Sequence, residues 1–249
     1  MKLATTMRLS IAALALCAFA GSAAAQLTSE PLGGFKGYTI HNHATHTTKI
    51  QPTAPAALPI VIYDNTASAA NFGFSSTDLG AVFGDELFTT GTGTLQAATF
   101  TFYNSSSSAG PVLTASFGVD FYDAVTSGYL GGFSANIDFG AGLDPGYYTF
   151  ISVTNLDPLA IDLNTTDVIA LQTVASFTGT ATRLGIASLD PPTVGSSGPD
   201  MYVDASTVGA AGWYTIAGQN ANPGYQLSVI SGPVPTEKSS WGRVKSLYR

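Results

Sequence analysis

Three histidines, His41, His43 and His46, are the only imidazoles in the chain, and a run of six residues contains them all. Neutral imidazole binds zinc, copper or nickel, so His41-Asn42-His43-Ala44-Thr45-His46 is a candidate metal site. Structural zinc motifs set their ligand pairs across a folded loop, and this spacing equally fits a polar stretch with no coordination geometry. The count also constrains catalysis. Any His-based general base has to come from this segment, which must then fold over a strand end and reach a serine. No Gly-x-Ser-x-Gly elbow is present to meet it.

Carboxylates are the second chemical resource. Asp120 with Asp123, Asp138 with Asp144, and the series Asp157, Asp162 and Asp167 fall near turn signals. Hard oxygen ligands at strand ends suit a structural Ca2+, for which Asp120 and Asp123 are the candidate ligands. The competing reading is that these side chains cap turns and keep the surface soluble. No other cofactor is implied. A glycosidase needs two placed carboxylates of different proton affinity. Glu86 is the only Glu between residues 58 and 232, so such a pair would be mostly Asp, and nothing singles one out.

Aromatic side chains number 27. Exposed Tyr and Trp can stack on sugar rings, which makes Trp213, Tyr214, Tyr147 and Tyr148 candidates for a carbohydrate-binding face. In a strand, Trp213 and Tyr214 point to opposite faces, so one of the two faces outward.

The elements that must position these residues follow from composition and period. The chain has 249 residues; hydrophobic residues make up 45%, enough for a core. Charged residues are only 10%, against about 25% in an ordinary soluble domain. A net charge of −7 excludes a general nucleic-acid binder, which needs clustered cations. The charge is uneven. Residues 26–236 carry three basic side chains, Lys36, Lys49 and Arg183, against fifteen acidic ones, whereas residues 237–249 hold four basic and one acidic.

Residues 1–25 read as a secretory signal peptide: Lys2 and Arg8, an apolar run over 11–20, then Ser22-Ala23-Ala24-Ala25 before the expected new terminus at Gln26. The apolar run is too short to cross about 30 Å of hydrocarbon. Cys17, the only cysteine, leaves with the leader, so the exported chain has neither thiol nor disulfide.

Residues 26–57 carry Pro31, Gly33, Gly34, Pro52 and Pro55 and read as an extended, flexible lead-in with one short strand at 38–41. From residue 58 the pattern becomes short β segments. Leu113, Ala115, Phe117, Val119 and Phe121 alternate with Thr114, Ser116, Gly118 and Asp120, and Phe133, Ala135, Ile137 and Phe139 alternate with polar neighbours. About ten strands, separated by turns such as Asp144-Pro145-Gly146 and Asn222-Pro223-Gly224, with no crossover helix, predict an all-β, antiparallel β-sandwich or jelly roll over 58–232, ahead of a closed barrel. The tail, 233–249, sets Trp241, Val244 and Tyr248 on one face of a short helix flanked by Arg243, Lys245 and Arg249, a candidate sorting or docking signal.

Several phrases together carry a resemblance: Val61-Ile62-Tyr63-Asp64-Asn65, Phe83-Gly84-Asp85-Glu86-Leu87, Phe102-Tyr103-Asn104-Ser105-Ser106, Val119-Asp120-Phe121-Tyr122-Asp123, and Asp190-Pro191-Pro192-Thr193-Val194-Gly195-Ser196-Ser197. Over about 58–231 the chain resembles secreted bacterial β-sandwich proteins that usually end in a PEP-CTERM-type sorting tail. The resemblance implies an extracellular or cell-surface location and brings no catalytic residues with it. Pro233-Val234-Pro235-Thr236 stands where that family has Pro-Glu-Pro, and its transmembrane segment and arginine cluster have no counterpart here.

The expectation is therefore a secreted, non-catalytic protein of the envelope or extracellular matrix that acts by binding or assembly. Its expected partner is an extracellular polysaccharide or envelope component, with no nucleic acid and no transmembrane segment in the mature chain. A carbohydrate-binding module is the first alternative, and a metal-assisted or Asp-based hydrolase the second.

Overall fold

The structure, a computed structural model, describes residues 29–52, 60–215 and 220–230. The leader and the tail residues Trp241, Arg243, Lys245 and Arg249 lie outside the described residues. Sixteen strands form among the described residues: β1 (Gly34–Asn42), β2 (Thr47–Gln51), β3 (Val61–Asp64), β4 (Ala70–Ser76), β5 (Val82–Phe88), β6 (Gly93–Asn104), β7 (Val112–Asp123), β8 (Tyr129–Leu143), β9 (Tyr147–Thr154), β10 (Asp162–Leu163), β11 (Asp167–Gly179), β12 (Leu184–Leu189), β13 (Ser196–Ser197), β14 (Met201–Asp204), β15 (Gly212–Tyr214) and β16 (Tyr225–Ile230). They divide between two sheets. Sheet A runs β2-β1-β9-β6-β12-β4, with β10 and β16 also on β6 and β3 on β16; sheet B runs β15-β14-β5-β11-β7-β8, with β13 on β5. The result is a β-sandwich, and neither sheet closes into a barrel. No helix among the described residues is long and apolar enough to cross a membrane.

The strand count departs from the expected ten, and the reason is physical. β4 and β5 are buried along almost their whole length, so their sequences do not alternate, and period-two patterning misses them. The lead-in is also more structured than expected. β1 spans nine residues, pairs antiparallel with β2, and runs parallel to β9, from Gly34↔Tyr147 to Asn42↔Thr154. Sheet A is therefore mixed. The parallel pair needs no crossover helix, because strands β2 to β8 make the connection.

The main core lies between the inner faces of β6, β7, β8, β9, β11 and β16. Phe102 stacks on Phe139 with centroids 5.4 Å apart and meets Phe117 edge-on at 4.9 Å. Alternation on β7 holds for Ala115, Phe117, Val119 and Phe121, all buried, but Leu113 is exposed and Val112 is buried in its place. A register shift between Val112 and Thr114 turns the strand there and exchanges the two faces. A second cluster, with Phe72, Phe74, Phe83, Ile186, Met201 and Tyr214, fills the other end of the sandwich.

Polar links tie the layers. Gln172 on β11 donates from Nε2 to the Thr101 carbonyl of β6 at 3.0 Å, joining sheet B to sheet A. Asn65, fully buried after β3, donates from Nδ2 to the Leu189 and Pro223 carbonyls at 3.0 Å each and accepts from the Tyr225 backbone N–H at 2.6 Å.

Candidate functional site

The outer face of sheet B gathers aromatic side chains from four strands. Register pairs define a row across the sheet: Trp213↔Tyr202↔Gly84↔Leu171↔Asp120↔Gly132. One step along the strands lies a second row, Glu86↔Ile169↔Tyr122↔Tyr129. Because directly paired residues share a sheet face, these side chains stand on one surface, opposite the buried Phe83, Leu87, Val119 and Phe121. Trp213 is 39% and Tyr129 is 53% exposed.

The rings come in two braced pairs. Tyr202 and Trp213 meet edge-to-face at 5.7 Å, and Tyr122 and Tyr129 do so at 5.3 Å. Leu171 and Ile169 form a half-buried floor between the pairs. Glycine makes this packing feasible at two places. A Cβ at Gly84 would sit 2.3 Å from the Leu171 side chain, and one at Gly132 would sit 2.2 Å from the Asp120 carboxylate. The Tyr129 hydroxyl donates to that carboxylate at 3.0 Å.

Electrostatically the face is anionic. Burial, Asp120 and Tyr202 push the Tyr122 hydroxyl up to about 12, so it stays protonated and able to donate. Burial and Asp204 raise Tyr202 as well. Burial raises Glu86, and Asp167, which hydrogen-bonds to it, raises it further. The described cations lie elsewhere: Lys36 on β1, Lys49 on β2, and Arg183 just before β12, all on elements of sheet A. The rest of the same outer face has another chemistry. Towards the far ends of β7, β8 and β11, Thr114 pairs with Thr178 at 2.7 Å and Ser116 donates to Asn136 at 2.5 Å.

The sequence candidates are thus distributed unequally. Trp213 faces outward, while Tyr214 is buried in the second cluster and donates its hydroxyl to the Ala210 carbonyl. Tyr147 and Tyr148 belong to sheet A, not to this face. Lys36 lies 4.4 Å over the Tyr147 ring and pairs with Asp144 at 3.0 Å. Tyr148 packs at 5.3 Å against Phe35 and at 5.9 Å against Phe150 in a tilted aromatic cluster, which is no flat platform. Asp120 joins the sheet B face, but Asp123 does not. Its Oδ1 accepts from the Val125 and Thr126 backbone N–H groups at 2.8 and 2.9 Å and caps the turn into β8.

The three histidines converge, though not as expected. His41 is 2% exposed within β1, so the interior of the sandwich does contain an imidazole. Its Nδ1 is hydrogen-bonded to Thr48 at 3.1 Å, and burial together with His43 and His46 lowers its proton affinity, holding it neutral. His46 lies 6.4 Å from His41 and 5.9 Å from His43, ring to ring. No group of three or more His, Cys, Asp or Glu among the described residues is arranged to hold a metal ion.

Two other polar clusters are structural in form. Glu30 accepts from Ser75 and Ser105, lies 3.7 Å from Arg183, and bridges its backbone to Gly73, which ties the start of the described chain to β4. Asp85 on β5 sits at the seam between the two core clusters, fully buried, and accepts from the Glu86 backbone N–H at 2.8 Å. Burial raises its carboxyl well above the usual range and favours the neutral form. Tyr202, Tyr122 and Tyr129 are the residues that sequence reasoning missed. The even parity of Asp120 on β7 already places Tyr122 on its face, but Met201–Asp204 is too short a strand to recognise by period.

No family model, curated protein or solved structure matches the chain.

Proposed function

We propose that the protein is exported and works without catalysis at the cell envelope or in the extracellular matrix, binding its partner through the outer face of sheet B. The observation that carries this reading is the pair of braced ring contacts, Trp213–Tyr202 and Tyr122–Tyr129, held with Asp120 on a solvent-facing sheet surface. A sheet that served only as the cover of a core would carry Ser, Thr and Asn there, as the far half of the same face does. Exposed large apolar groups gathered in one place mark interaction surfaces. The signal-like residues 1–25 and the resemblance to secreted bacterial β-sandwich proteins support the location.

The non-catalytic reading draws on side-chain placement. Glu86 and Asp167, the close carboxyl pair on this face, share a hydrogen bond, whereas a retaining glycosidase holds its two carboxyl groups roughly 5 Å apart. The histidines stand on β1 and in the turn before β2, across the sandwich from this face. The test has two parts. Expression with residues 1–25 in a bacterial host should give an exported chain beginning at Gln26. Labelled protein should bind isolated envelope and matrix fractions, and the double variant Trp213→Ala/Tyr202→Ala should lose that binding while keeping its circular dichroism. Equal binding by the double variant would refute the assignment of the face, and retention in the cytoplasm with an intact leader would refute the location.

A further inference from the structure

We infer that the partner of this face is an uncharged polysaccharide, laid across the strands from Trp213 on β15 towards Tyr129 on β8. The inference rests on the reading of sheet B as the binding surface and supplies the chemical class of the ligand. Three observations narrow that class.

The first is charge. Asp120, Glu86 and Asp204 line or border the rings, and every described cation lies on sheet A. A polymer bearing phosphate, sulfate or uronate groups would be repelled by this surface, whereas hydroxyl groups can donate to carboxylates and accept from the tyrosine hydroxyls. The second is the backbone. β14, β5, β11 and β7 are each paired on both sides, so a peptide strand can join this sheet only beside β15 or β8 and not across the face between them. Recognition is left to ring faces and side-chain oxygens. That combination suits a pyranose, which presents C–H bonds to the negative face of an aromatic ring and hydroxyls around its rim. The third is extent. Trp213 and Tyr129 stand on the two outermost strands of a six-strand path, a span of roughly 24 Å at one strand spacing per step. A surface of that length contacts several sugar rings in succession, and the edge-to-face bracing fixes the rings before the ligand arrives, which lowers the ordering cost of binding.

The experiment is affinity electrophoresis of the full chain through gels containing soluble neutral polysaccharides (laminarin, xyloglucan, galactomannan, dextran) or the anionic polymer alginate, followed by calorimetric titration of oligosaccharides of increasing length from any that retard it. The expected result is retardation by at least one neutral polymer and none by alginate, with affinity rising over successive oligosaccharide lengths. Trp213→Ala should weaken binding at least 10-fold, whereas Phe35→Ala, on sheet A, should leave it unchanged. Retardation by alginate alone, or by no polymer, would overturn the inference. So would equal losses from Trp213→Ala and Phe35→Ala. If no glycan binds while Trp213-dependent binding to envelope fractions persists and is destroyed by protease, the ligand is a protein: the glycan assignment falls and the reading of the face stands.

Discussion

Gly118 offers a way to block the proposed surface without harming the fold. It lies on β7 with Asp120 and Tyr122 on the same outward side, paired to Thr173 and Ser134. A Cβ built there meets no atom within 4 Å, and the backbone is not in the left-handed region. Glycine inside a strand costs about 0.5–1 kcal/mol through the freedom of the unfolded chain, so an L side chain at this position is stabilising. For a chain of this length 1 kcal/mol corresponds to about 2–4 °C, so Gly118→Arg should raise Tm by roughly 1–4 °C. Two residues along a strand is about 6.7 Å, within reach of a guanidinium, which would pair with the Asp120 carboxylate and lie over the floor between the rings. Binding should then fall at least 10-fold as stability rises. Loss of binding through unfolding cannot produce that combination. Scanning calorimetry and binding to retarding polysaccharide or envelope fractions provide the two readings. A lower Tm would refute the packing argument, and unchanged affinity in a more stable variant would refute the position of the surface.

Two further perturbations test the scaffold. Asn65→Ala strands the Leu189 and Pro223 carbonyls and the Tyr225 N–H, three buried groups costing about 1–3 kcal/mol each, so urea denaturation should show a loss of roughly 3–9 kcal/mol; a loss under 1 kcal/mol would contradict the role of Asn65 as the tie between β3, β12 and β16. Asp85→Asn bears on pH. The folded-state proton affinity of Asp85 is raised above that of the unfolded chain, so its contribution is fully present below pH 3.8 and is lost as pH rises through the folded-state value. One proton gives a slope of at most about 1.4 kcal/mol per pH unit, so the stability of the variant minus that of the parent, from denaturation at several pH values, should grow as pH rises from 4. A difference independent of pH would refute the burial of an ionisable carboxyl at the seam of the two clusters.

Legibility from sequence was uneven, and individual residues show why. The strands around Phe117 and Phe133 could be read directly, because one face meets the core and the other meets water, and the side-chain period is two. β4 and the first part of β5, buried at consecutive positions, have no such contrast, and Gly73 and Gly84 interrupt them for packing reasons that only the neighbouring Tyr103 and Leu171 side chains reveal. β1 was legible only over 38–41; its full length escaped because its pairing is with β9, more than a hundred residues away, and because Gly34 and Gly37 look like breakers while serving as points of close approach to Tyr147 and the Gln51 carbonyl. At the candidate site, Trp213 was visible as an outward aromatic. Its partners came from three other strands, and alternation fixes a face without fixing which strands are neighbours. The histidine run has the opposite lesson: proximity in sequence brought the rings together but did not make a coordination set, since β1 buries His41 against Thr48.

The most direct test of the account is amide chemical-shift mapping of the full chain titrated with whichever neutral oligosaccharide binds. The account predicts saturable shifts confined to β5, β7, β11, β14 and β15 and the first residues of β8, with the Trp213 indole N–H among the largest. Shifts centred on Phe35 and Tyr148 of sheet A, or on the turn carrying His43 and His46, would contradict it.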